Sequence, residues 1–348
     1  DAKGAQWGQS WDLEVPLYFA EPGFTETPSL KRSNAHDIVG AECRAVREAA
    51  GLLDITAFSR FEVTGPNAQA WLDKMMASRL PAPGRAKLAP MLGDDGRLKG
   101  DLTIFNWGGG RWWITGSYYL RQWHMRWFND HLDEGVLVRD LGDEMAGMSL
   151  AGPKSREVLR SVLTDGDLDG LKFMGCGQMD VGLVRCHVGR LSVAGELGYE
   201  LHCRAGDMKA LRDTLLAAGA DHGMIEYGFN ALLSLRLEKS FGIWSAEFTQ
   251  GYTPGMTGPA KVLVTLEVDA ENADAAGFEP VWKGDRKIGF VTSGGYAHTL
   301  GTSLAMALVD REFADLGSAL SVHVVGVERP ATVIAASPYD PDGSVMRG

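Results

Sequence analysis

Two stretches of the chain repeat one hydrophobic rhythm. Phe61-Glu62-Val63-Thr64 is a strand-like run that stops at Gly65-Pro66, after which Trp71, Leu72, Met75 and Met76 recur at helical spacing. Met148-Ser149-Leu150-Ala151 stops at Gly152-Pro153 in the same way, with Val158, Leu159 and Val162 following. Glycine permits a sharp exit from a strand, and proline, with φ preset and no N–H to satisfy, suits the first position of a helix. A strand, a Gly-Pro turn and a helix are therefore predicted in both places. After each helix comes a β-rich stretch. Asp94-Asp95-Gly96 marks a hairpin between 88–91 and 98–105, and a second set of strands runs through 179–184 and 191–193 to Leu201. A helix closes each unit, through Leu120, Trp123, Trp127 and Phe128 in the first and Met208, Leu211, Leu215 and Leu216 in the second.

From Pro259 onward the texture changes to short strands at 262–268, 279–282, 288–292, 305–309, 320–325 and 332–334, separated by Gly- and Asp-containing turns. Such spacing predicts a small antiparallel barrel or sandwich. The expected fold class is α+β, with two related α+β halves and a C-terminal β-barrel-like domain. The domains are placed at 1–145 (with an N-terminal extension), 146–258 and 259–348.

Composition narrows the function classes. With 348 residues, 45% hydrophobic and 23% charged, the chain is an ordinary globular protein of two or three packed units. Its 34 basic and 45 acidic residues give a net charge of −11 without a basic patch, which argues against nucleic acid. No stretch approaches the roughly 20 apolar residues of a membrane helix. Four cysteines without C-x-x-C spacing read as buried thiols of a reducing compartment: the cytoplasm, or the mitochondrial matrix in a eukaryote. The chain begins at Asp1 without a methionine and reads as a piece excised from a longer polypeptide. Neither a metal-binding His spacing nor G-x-S-x-G occurs, so metalloenzyme and hydrolase readings lose support, and no metal is expected.

Three positions stand out. Asp101 lies opposite Leu98, Leu102 and Ile104 on an alternating strand and follows Gly100, which would leave room beside it for another molecule; by pattern alone it is first a solvent-facing aspartate. Glu196 sits between Gly195 and Gly198, a tight connection between strand-like runs that is either a simple turn or a close approach to a ligand. Arg236 shares the apolar stripe of Leu232 and Leu233 in a helix placed at 226–241. A buried guanidinium needs a partner, and Glu196, Glu238 or a bound group would serve, as would an internal salt bridge.

These same runs resemble the aminomethyltransferase, or T-protein, family of the glycine cleavage system, and are closer still to the folate-binding C-terminal half of dimethylglycine and sarcosine dehydrogenases. The matching segments are the two Gly-Pro helix starts, Gly100-Asp101-Leu102-Thr103, Gly195-Glu196-Leu197-Gly198-Tyr199-Glu200, Ser234-Leu235-Arg236-Leu237-Glu238-Lys239 and Gly289-Phe290-Val291-Thr292-Ser293-Gly294. The resemblance implies a three-domain cloverleaf around a central cavity for tetrahydrofolate. It implies a catalytic role for Asp101 beside folate N10, and folate contacts from Thr115, Tyr118, Glu196, Tyr199, Arg236 and Trp244. The implied reaction captures formaldehyde or a methyliminium carbon from a small N-methyl compound as 5,10-methylenetetrahydrofolate. A methyltransferase forming 5-methyltetrahydrofolate and a non-catalytic folate-binding module are the alternatives. Because no G-x-G-x-x-G unit is present, any flavin or other redox centre is expected on a separate domain or subunit, an oxidase or a demethylase such as one acting on trimethylamine N-oxide. Oligomerisation is left open. One departure from the family follows Tyr252-Thr253-Pro254, where Gly255-Met256-Thr257-Gly258 runs almost directly into Pro259; a true deletion would account for it, as would further residues closed up within this numbering.

Overall fold

The computed structural model describes residues 3–10, 13–251 and 260–348, and the junction at 252–259 lies outside them. The first sheet has five strands in the order Arg85–Leu92, Leu98–Gly108, Arg111–Ser117, Phe58–Thr64, Leu137–Asp140. One face is apolar at every second position, and the helices Ala68–Met75 and Arg121–Asp130 cover it with Trp71, Leu72 and Phe128 against Phe61, Leu102 and Ile104. The Gly-Pro exits are as expected, with Gly65 at φ +114° and Gly152 at φ +126°. A side chain at Gly65 would also meet the carbonyl oxygen of Gly135 at 2.2 Å. The prolines, however, do not open the helices. Ala68 N donates to Gly65 O and Ser155 N to Gly152 O, closing a turn first, so the helices begin two residues later at Ala68 and Ser155.

The second sheet has seven strands, ordered Leu163–Asp165, Cys176–Val181, Val184–Gly189, Gly198–Arg204, Met145–Ala151, Gly51–Asp54, Ile225–Glu226. The strand expected at 191–193 is absent, and 190–197 is an irregular connection. Gly51–Asp54 pairs antiparallel with Met145–Ala151, Gly51 opposite Ala151, so the boundary expected after residue 145 runs through this sheet. The helices Ser155–Val162 and Met208–Gly219 cover its outer face. The inner faces of the two sheets meet through Phe105, Trp107, Trp113 and Leu191. Arg60, fully buried in this layer, donates to the carbonyls of Ile55, Thr56 and Phe58 and from Nε to His202 Nδ1 at 3.0 Å. Loss of water lowers its pKa to about 10, and the carbonyl cradle is what makes its burial tolerable.

Residues 261–334 close a six-stranded antiparallel barrel around Val264, Leu266, Val281, Ile288, Val291 and Ala307. The helix Phe229–Glu238 is shorter than the predicted 226–241 and packs Leu237 against Leu304 and Met306 on the barrel's outside. Its other faces meet the helix His36–Glu48 and the strand Leu13–Phe19 of an N-terminal hairpin, which explains why almost every position in it is apolar. All three units converge on this helix.

Candidate active site

The inner faces of the two sheets meet along Leu98–Gly108 and Val184–Gly189. Trp107 packs against His187 with ring centroids 4.8 Å apart. Phe105 fills the space left by Gly189, where a Cβ would come within 2.7 Å of its ring. Trp107 and Phe105 thus lie against His187 and Gly189, and Thr103 and Asp101 continue the same face of Leu98–Gly108. Thr115 pairs with Thr103 on the neighbouring strand and is buried. Asp101 and Thr115 thus share one inner face, turned away from Leu102 and Ile104.

Asp101 is half-buried and makes no hydrogen bond or ion pair among the described residues; burial alone pushes its pKa up to about 6. Gly100 does not open space for a ligand, as the sequence suggested. A side chain there would meet Leu102 and, at 3.0 Å, His124 Nε2, so the glycine serves the core on the opposite face.

Glu196 lies in the connection made possible by Gly195, whose φ is +78° and where a Cβ would sit 2.3 Å from the Lys239 side chain. Its carboxylate is buried, and Oε1 accepts from Arg47 Nη1 at 2.9 Å and from the Tyr339 hydroxyl. Oε2 has no partner among the described residues. Burial raises the Glu196 pKa, while Tyr339 and Arg47 pull it down. Arg47 is shared: its other nitrogen donates to Glu238 at 2.7 Å, and its guanidinium lies 3.8 Å above the Tyr339 ring.

Arg236 is buried, but its partner is neither Glu196 nor Glu238. It pairs with Glu247 at 3.2 Å and donates to the Phe241 carbonyl at 3.0 Å. Burial lowers its pKa. Glu247 is itself sealed, accepting from Thr292, Ser293 and the Ile243 amide. Arg236 Nε remains buried without a partner among the described residues.

Trp244 donates from its indole to the hydroxyl of Tyr119 across the gap to the first sheet; the adjacent Tyr118 instead lies beside Arg121, its ring centroid 5.8 Å from the guanidinium. Tyr199 does not reach the site. It faces the outer core of the second sheet among Leu201, Cys203 and Leu211, and its hydroxyl accepts from Arg156 at 3.1 Å, because Tyr199 and Glu200 alternate across the strand. Residues that sequence reasoning missed include Arg47, Tyr119, Glu247 and Tyr339. Thr292 and Ser293 stood in a matching run without a role. Two cavities, of about 420 and 440 Å³, lie elsewhere, one lined by Arg32, Tyr296 and Ser303 and the other by Arg85, Lys172 and Cys176.

Residues 1–265 match the family described as the GCVT N-terminal domain, and residues 261–340 match the glycine cleavage T-protein C-terminal barrel domain. The chain belongs to the glycine cleavage T-protein family. It is 30% identical over 354 residues to the mitochondrial dimethylglycine dehydrogenase of Rattus norvegicus, a match covering 92% of this chain and 41% of that protein. The aminomethyltransferase of Bacillus subtilis is 28% identical over 312 residues, covering 81% of this chain and 86% of that protein. Glycine cleavage system aminomethyltransferase T from Bartonella henselae superposes with a TM-score of 0.84 at 20% identity, covering 98% of this chain and 96% of that one, which establishes a shared fold. The chain thus spans 41% of the length of its dehydrogenase relative. The T-protein family is one of aminomethyltransferases, enzymes that use tetrahydrofolate.

Two groups of the candidate site are left without a partner among the described residues. A reduced pterin presents an amino group and a ring N–H to an acceptor and a carbonyl oxygen to a donor. Glu196 Oε2 and the unsatisfied N–H of Arg236 are one of each.

Proposed function

We propose that this chain joins a one-carbon unit, released from an N-methyl compound by an oxidase or demethylase domain or subunit, to tetrahydrofolate, giving 5,10-methylenetetrahydrofolate. The observation that carries the reading is the Asp101 carboxyl: half-buried, without a partner among the described residues, and with its pKa pushed up to about 6 on the inner face of its sheet. When bound, the folate supplies two nitrogens, N5 and N10, as nucleophiles toward the incoming carbon. Asp101 takes up the proton that ring closure releases at N10 and faces the positive charge that develops before it. A carboxyl poised near neutrality does this better than one fixed as a salt bridge. Glu196 and Arg236 orient the pterin edge, while Thr115 and Trp244 border the ligand. Tyr119, which fixes the Trp244 indole, belongs with them.

The test is calorimetric titration with tetrahydrofolate, followed by formaldehyde and chromatography of the folate products, in wild type and Asp101→Asn. Methylene-folate formation faster than the spontaneous reaction and dependent on Asp101 supports the reading. Binding with no acceleration would leave a passive folate module in its place, and a 5-methyl product formed from a methyl donor would make the chain a methyltransferase.

A further inference from the structure

The 336–340 segment, beyond the last barrel strand, folds back over the Glu196 corner and is fastened there by several bonds. Ser337 N donates to Ser240 Oγ at 2.8 Å and Tyr339 N to the Glu238 carbonyl at 3.1 Å. Lys239, nearly fully buried, donates to the carbonyls of Tyr339 and Asp340 and pairs with the Asp340 carboxylate at 3.2 Å. These bonds deliver one side chain inward. The Tyr339 ring lies under the Arg47 guanidinium, and its hydroxyl donates to Glu196 Oε1.

That placement decides which part of Glu196 is left over. Arg47 and Tyr339 both end on Oε1, so two donors saturate one oxygen while the other keeps both lone pairs. Had Arg47 bound the carboxylate with both nitrogens, both oxygens would have been used. Its second nitrogen is instead drawn to Glu238, which Thr299 N also holds at 2.7 Å.

We propose that Tyr339 is a positioning residue for ligand recognition: by holding Glu196 Oε1 it presents Oε2 to the amino-amide edge of a 2-amino-4-oxo heterocycle. This rests on the assignment of Glu196 to tetrahydrofolate made above. The charged and titratable groups around Glu196 are Arg47 from the helix His36–Glu48, Glu238 and Lys239 from the Phe229–Glu238 helix and its end, and Tyr339 and Asp340 from the 336–340 segment. Of these, Arg47 and Tyr339 act to keep Glu196 ionised against the cost of burial.

Tyr339→Phe keeps the ring beneath Arg47 and removes only the hydroxyl. We expect tetrahydrofolate affinity, measured by calorimetry at pH 8, to fall about tenfold, the size of one lost hydrogen bond to a charged group. Turnover in formaldehyde capture at saturating folate should stay within about twofold of wild type. The acid limb of folate binding should move to higher pH, because Glu196 loses a group that favours its charged form; a merely structural contact would not move that limb. To separate a loosened fold from lost positioning, Glu196→Gln is made in both backgrounds: the proposal requires that Tyr339→Phe have little further effect on affinity once Glu196 is gone. Unchanged affinity and an unmoved pH limb in Tyr339→Phe would overturn it, as would full additivity with Glu196→Gln. Wild-type protein that fails to bind tetrahydrofolate removes the folate assignment itself, an outcome distinct from wild-type binding that Tyr339→Phe leaves intact.

Discussion

The strand around Asp101 and the connection around Glu196 each bury a carboxyl group, and burial raises the pKa of both. Their surroundings differ. Glu196 sits against a guanidinium and a phenol, which offset part of the desolvation and leave one oxygen without a partner among the described residues. Asp101 has no such company, so nothing among the described residues compensates for its charge. Groups that hold a ligand benefit from being fixed in place by their neighbours. A group that moves a proton benefits from being able to exist in both forms near neutral pH. The contrast between the two corners is the physical basis for the proposed division, with binding at one and proton transfer at the other.

The largest effect that would sharpen or break this contrast is on turnover. Asp101→Asn should lower the rate of methylene-folate formation by about a hundredfold or more, the scale of a general base, while tetrahydrofolate affinity stays within about threefold. A variant with undiminished turnover would erase the distinction. Next in size, Glu196→Gln should weaken folate binding about tenfold or more by calorimetry while affecting saturated turnover far less; equal losses in both would mean that the two corners share one role. Third, kcat/KM for wild type should fall on the acid side with a midpoint near pH 6, set by Asp101, and that limb should be missing from the residual activity of Asp101→Asn.

The smallest effect concerns stability. The folded protein holds the Asp101 proton more tightly than the unfolded chain, since its pKa rises from 3.8 to about 6. Its contribution is therefore full below the unfolded value and lost as pH rises through 6, beyond which the buried charge is a net cost. Asp101→Asn should accordingly raise Tm by a few degrees at pH 8 relative to wild type, with the gap narrowing toward pH 4. A fall in Tm at pH 8 would mean that Asp101 has a stabilising partner after all.

Much of this was legible in the chain. The Gly-Pro exits, the 94–96 hairpin and the six barrel strands all follow from local pattern, because each is decided by residues close in sequence. What was not legible depends on pairings across large separations. Arg236 was correctly read as buried, but its partner Glu247 lies beyond the helix end, and Glu238 was taken by Arg47 from a helix almost two hundred positions earlier. Tyr199 carried no local sign that it would face the outer core, since strand parity fixes a face only once the sheet's neighbours are known. The choice between Tyr118 and Tyr119 turns on a single 3₁₀ turn, which periodicity cannot resolve.

The strand Gly51–Asp54 has a consequence for how the molecule forms. It fills the place between Met145–Ala151 and Ile225–Glu226, so the second sheet draws on segments that leave the ribosome at widely separated times. Closing such a loop carries an entropic cost before any contact rewards it. During synthesis the first sheet can assemble early, whereas Gly51–Asp54 must wait for its neighbour some hundred residues later. Denaturation should therefore reveal one cooperative transition for both halves, and severing the chain between them should unfold the second half as well as abolish its pairing.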